Sequence, residues 1–138
     1  RFMGLKSEIP NAELLIIPME QKARSIFYRA HLGEIKKYSA VFAVSDYYAM
    51  DVIQFLKSVG ISVPEDISVV GFDDVREGEK FVPALTTIRQ DSRQRAALAV
   101  TMLNRLRKGD GEVSHVLQPV TLIERDSVSE VKMHKEEG

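Results

Sequence analysis

Two short apolar runs flank one strongly patterned segment, and together they restrict the fold more than anything else in the chain. "YSAVFAV" (38–44) and "ISVVGF" (67–72) are almost continuously apolar and too short for helices. Each reads as a strand covered on both faces. Between them, Ala49, Met50, Val52, Ile53, Phe55, Leu56 and Val59 cover one broad face of a helix running from Asp46 to Val59. Asp46 suits the N-cap and Gly60 the C′ position. Two buried strands joined through a helix make a βαβ crossover, which requires a parallel sheet. The fold class is therefore α/β, a parallel sheet flanked by helices.

The flanking segments extend this pattern. Residues 1–7 read as a helix closed before Pro10, and "AELLIIP" (12–18) as another buried strand stopped by proline. Residues 20–36 carry Ala23, Ile26, Phe27, Ala30 and Leu32 at roughly helical spacing. "VPALTTIRQ" (82–90) reads as extended. Asp91 starts a further helix over 91–107, with Gln94 placed for a capping box and Ala96, Val100, Leu103 and Leu106 as its stripe. Gly109 and Gly111 end it. "VLQPVTLIERDS" (116–127) is extended and interrupted at Pro119, which cannot donate to a central ladder. The charged "EVKMHKEEG" that closes the chain reads as frayed.

Composition removes several functions. The chain has 138 residues, 44% hydrophobic, enough for one sizeable core. With 19 basic and 20 acidic residues the net charge is −1, so no nucleic-acid surface is indicated. Cysteine is absent, which excludes disulfides, thiolate metal sites and a cysteine nucleophile, and fits a reducing, cytoplasmic compartment. No apolar run reaches the ~20 residues of a membrane span. His31, His115 and His134 match no metal-ligand spacing, and a solvated role is expected for each. A G-x-S-x-G motif, a P-loop and a dinucleotide fingerprint are all missing, so no catalytic residue, metal or cofactor is expected. The opening "RFMGLKSEIP" already lies inside an amphipathic pattern and reads as part of something longer.

In open parallel α/β sheets, ligands bind at the carboxyl ends of the strands. Ser45 and Asp46 follow the first run, and Asp73 and Asp74 follow the second. Neighbouring strands lie ~4.8 Å apart, so both clusters can line one pocket. Carboxylates accept hydrogen bonds only, and their geometry suits paired hydroxyls or an N–H group, as in a sugar or a base. The plainer alternative stands beside it, with Asp46 as a helix cap and the Asp pair as a solvated turn.

"SAVFAVSDYYAMDVIQFLKSVGISVPEDISVVGFDD", followed by "VPALTTIRQD", resembles the C-terminal part of the core of LacI/GalR-family transcriptional regulators. "RFMGL" is similar to the family's R-x-x-G-F near the effector pocket, and "LIERDS" to its terminal L-v-R-x-S. The resemblance covers about residues 1–127 and is strongest over 39–91.

It implies a type I periplasmic-binding-protein-like fold, present here as an incomplete fragment, in which two subdomains sandwich a small effector such as a sugar. Residues 1–88 and 120–127 would form the C-terminal subdomain without its first strand. Residues 89–119 would belong to the N-terminal subdomain, and 128–138 would be a tail. Operator DNA would be bound only through a headpiece absent from this chain, and the protein would act as a homodimer. By the same resemblance Arg1, Ser45, Asp73 and Gln90 are the effector-binding positions. Ser45 stands where many sugar-responsive members have Asn. Asp46 and Asp74 are structural, and Met50 and Phe81 fall at dimer-interface positions. The helix 91–107, lacking its sheet, is expected to be poorly ordered, to pack back on its own subdomain, or to pack on another chain. A periplasmic sugar-binding protein, or a sensor core joined to a GntR-type headpiece, are the alternatives that share this fold.

Overall fold

A computed structural model describes residues 1–109 and 115–130. The first elements are α1 (Phe2–Glu8), α2 (Gln21–Ala30) and α3 (Leu32–Ile35). The central unit follows as β1 (Ala40–Phe42), α4 (Asp46–Ser58) and β2 (Ser68–Val70). Then come α5 (Arg76–Glu79), β3 (Thr87–Gln90), α6 (Ser92–Lys108) and β4 (Val120–Ile123). No helix among the described residues is long and apolar enough to cross a membrane. The expectations for Gly111, His134 and the tail from Val131 onward lie outside the described residues.

β1 and β2 are parallel, with Val41 opposite Val69, as the βαβ pattern requires. α4 covers them with the face read from the sequence, and Ile53 and Leu56 are essentially inaccessible. Full burial of such a side chain stabilises by about 1.5–3 kcal/mol. Val69, Leu85, Ile35 and Tyr28 complete the core. α4 ends in a Schellman motif. Gly60 has φ +78°, its N–H donates to Lys57 O, and the Ile61 N–H donates to Leu56 O.

Beyond β2 the order changes. Thr86 forms a parallel bridge to Val70, and β3 then pairs antiparallel with β4, Gln90 standing opposite Val120. The segment after β4 returns into the core. Ser127 is fully buried. Its hydroxyl donates to Val69 O at 2.6 Å and accepts from Thr86 N at 2.8 Å.

Two expectations fail for identifiable reasons, and a third is narrowed. Residues 12–18 belong to no strand or helix. No described residue offers them a ladder, Leu14 and Ile16 are exposed, and Ile17 packs on the core. The helix 20–36 breaks at His31 into α2 and α3. Its buried face is Arg24 and Tyr28, one turn apart, which leaves Ile26 on the opposite side and 72% exposed. Arg24 is buried because its Nε meets Asp51 of α4 at 2.7 Å, and burial, helped by the same carboxylate, pushes the Tyr28 phenol up to about 12. Finally, α6 is a regular helix that adds nothing to the core, since none of its residues is buried and only Leu98 and Met102 are half-buried. Asp91 caps it, accepting from Gln94 N at 2.8 Å.

Candidate functional site

The turn after β2 is built around Asp46. Its carboxylate is fully buried and accepts from Val75 N at 2.7 Å and from the Thr87 hydroxyl at 2.5 Å. Asp46 is therefore structural, but not as the helix cap. Ser45 occupies the N-cap position in extended backbone, with no capping hydrogen bond from its hydroxyl. Asp46 is instead aimed across the sheet because β3 offers it a donor. Gly71 makes this possible: a Cβ there would lie 2.1 Å from Asp46 Oδ1 and 2.9 Å from Leu85 Cδ2. The single glycine of "VGFDD" is thus room for a neighbouring carboxylate.

Asp73 and Asp74 both adopt positive φ, 109° and 53°. Asp73 points outward and is 38% exposed. Its Oδ1 accepts from Gln90 Nε2 at 2.7 Å and lies 3.3 Å from Arg1 Nη2. Its Oδ2 has no partner among the described residues. Arg1 also donates to the Val44 carbonyl, and its guanidinium carbon sits over the Phe72 ring, 3.8 Å from the centroid. Phe72 meets Phe42 edge to face at 6.3 Å. Gln90 is held from its other end, because Arg95 Nη1 donates to Gln90 Oε1 at 2.6 Å.

Three of the four expected effector positions, Arg1, Asp73 and Gln90, therefore meet at the carboxyl end of β2. Ser45 is half-buried next to Val44, and makes no hydrogen bond to that cluster. On the far side of Gln90 an open groove of about 400 Å³ runs along α6, lined by Arg95, Leu98, Met102 and Val116 among others. The cluster presents a guanidinium, an amide, a free carboxylate oxygen and an aromatic face. The chemistry of such a set is complementary to hydroxyl or N–H groups.

Asp74 turns the other way. Its Oδ1 meets Arg125 Nη2 at 2.7 Å and its Oδ2 meets Arg89 Nε at 2.5 Å. Burial works to raise the Asp74 carboxyl, and the two guanidiniums outweigh it, holding it below the usual carboxylate range. Arg89, Arg95, Arg125, Thr87 and Phe72 are site-shaping residues that the sequence reading passed over. For β3 the alternation of "TTIRQ" was the available signal, since it puts Thr87 and Arg89 on one face of the strand and Gln90 on the other.

Met50 and Phe81 belong to the core of the single chain, Met50 being 9% exposed and Phe81 packed against the same cluster. His31 stacks on Phe27 with centroids 3.9 Å apart. Among the described residues no group of three or more His, Asp or Glu could hold a metal ion.

Comparison with known proteins agrees with this architecture. Residues 7–128 match the family model of the periplasmic binding protein-like domain. The chain is 40% identical over 138 residues to the HTH-type transcriptional repressor PurR of Pectobacterium atrosepticum, covering 94% of this chain and 40% of that protein. It is 40% identical over 96 residues to the HTH-type transcriptional regulator MalR of Clostridium butyricum, covering 70% of this chain and 29% of that protein. It thus spans well under half the length of either relative. Among solved structures, a LacI family regulator from Enterococcus faecalis with bound ribose superposes with a TM-score of 0.78 at 28% identity, over 95% of this chain and 49% of that one. The Lac repressor dimer bound to operator and an anti-inducer gives 0.67 at 31% identity, over 75% and 36%. The chain belongs to the periplasmic binding protein-like domain family, and the relatives and solved structures it is similar to are LacI-type transcriptional regulators.

Proposed function

We propose that this chain is the ligand-sensing and dimerisation part of a LacI-type repressor that responds to a small effector such as a sugar. The observation that carries the reading is the convergence of Arg1, Asp73 and Gln90, from three elements, on one open carboxylate at the end of β2. Asp73 Oδ2 accepts from a ligand hydroxyl or N–H, and Arg1 offers donors beside the Phe72 face. Ser45, at the start of α4, borders the same cleft. The ribose in the E. faecalis neighbour is in keeping with a hydroxyl-rich ligand.

In this reading residues 1–88 and 120–127 form one subdomain, and 89–119 belong to its partner across the cleft. Dimer contact runs over α4 and the segment after α5, where Met50 and Phe81 lie inward and Tyr47 and Val82 are exposed. Operator DNA is bound by a separate headpiece, the protein works in the cytoplasm, and no residue of the cluster is asked to perform a chemical step.

Thermal unfolding of the full-length protein against pentoses, hexoses, sugar phosphates and purines tests this. At about 100 times its Kd a true effector adds about 2.7 kcal/mol, which raises Tm by several degrees. Asp73→Ala should abolish that shift. A compound that stabilises wild type and Asp73→Ala equally would remove Asp73 from the pocket.

A further inference from the structure

The two aspartates after β2 divide their contacts, and the division has a directional consequence. Asp73 keeps one oxygen open, whereas Asp74 is 10% exposed with both oxygens committed. Its partners come from the two strands that lead to and from α6. Arg89 is in β3, which runs straight into α6, and Arg125 stands two residues beyond β4, which returns from it. The main chain of the turn lies on β3 as well. Asp73 N–H donates to Ile88 O at 2.9 Å, and Asp74 N–H reaches Thr87 Oγ1 at 3.4 Å. Arg125 is fixed from its other nitrogen by Leu85 O at 2.7 Å.

We propose that Asp74 is a positioning residue that clamps the β3–β4 ribbon onto the turn carrying Asp73, so that the direction in which the ribbon leaves toward α6 is set at the ligand-bearing turn itself. The proposal rests on the effector-site reading of Asp73. The physical basis is asymmetric commitment. Arg125 is only 15% exposed, so without a carboxylate it is a cation held out of water with no counter-charge. Arg89 is 56% exposed and can turn to solvent. Removing the Asp74 charge therefore weakens the hold of the turn on both strands, leaving only the main-chain contacts to β3, so that the β3–β4 ladder opens more often.

Hydrogen exchange of the full-length, ligand-free protein tests the clamp. In Asp74→Asn the amides of Thr87–Gln90 and Val120–Ile123 should exchange roughly tenfold faster, while α4 and β2 keep wild-type rates. Unchanged ribbon rates would overturn the proposal, because the ladder alone would then hold the strands. Acceleration spread evenly over α4 and β2 would overturn it too, because Asp74 would then serve only global stability. Should Asp74→Asn fail to fold, Arg89→Gln removes one arm at the surface. It should loosen Thr87–Gln90 by a smaller factor, and no change there would also defeat the idea. No ligand enters these measurements, so their outcome is separate from that of the Asp73→Ala thermal shifts.

Discussion

α4 and α6 are both amphipathic, both start after a residue suited to capping, and both are followed by a glycine with positive φ. Their fates differ completely. α4 lies on β2 and buries seven residues, whereas α6 buries none and leaves Val100, Leu103 and Leu106 open. Apolar periodicity states which face of a helix will be covered if a surface is available. Supply of that surface is a property of the rest of the molecule. α4 has its sheet within the described residues, and α6 does not.

The contrast can be broken by mutation. The largest effect is expected at Leu56, which is fully buried on the inner face of α4. Leu56→Ala should cost about 3 kcal/mol in chemical denaturation, and a cost below about 1 kcal/mol would mean that the α4 interface is loosely packed. A smaller effect should appear on acidification. Asp74 is held below the usual carboxylate range, so its contribution is complete above the unfolded value of about 3.9 and is lost as pH falls through its lower folded value. Asp74→Asn should therefore give a shallower fall in stability below pH ~4 than wild type, and parallel curves would show that the two arginines do not depend on that charge. The smallest effect belongs to Leu103, 60% exposed on α6. In the 138-residue chain, Leu103→Ala should stay within about 0.5 kcal/mol of wild type. A loss as large as that at Leu56 would show that the α6 stripe is covered in solution.

The same distinction explains how much could be read beforehand. The parallel βαβ unit and the limits of α4 and α6 were legible because each rests on local periodicity and caps. The site positions Arg1, Asp73 and Gln90 were legible through the family resemblance, and their convergence needed the fold. The run 12–18 looked like a strand because its composition is that of one, yet strand pairing depends on a neighbour that composition cannot supply. Asp46 looked like a cap because caps are its commonest role. What redirected it was Thr87, 41 residues away, together with the missing Cβ at Gly71. Arg125 and Ser127 were quoted as part of a terminal motif, but their work is long-range and polar, and hydrophobic patterning carries no trace of it.

Ser127 also bears on when the fold can close. Its hydroxyl bridges Val69, 58 positions earlier, and Thr86, 41 positions earlier. Contacts of such sequence separation carry a loop-closure cost that must be met before they form. During synthesis, a nascent chain can therefore hold β1, α4 and β2 complete and still lack the hydroxyl that joins β2 to the strand beside it. Until residue 127 leaves the ribosome, the Val69 carbonyl and the Thr86 amide lack this bridge and must be satisfied by water, and premature termination a few codons short would make that condition permanent.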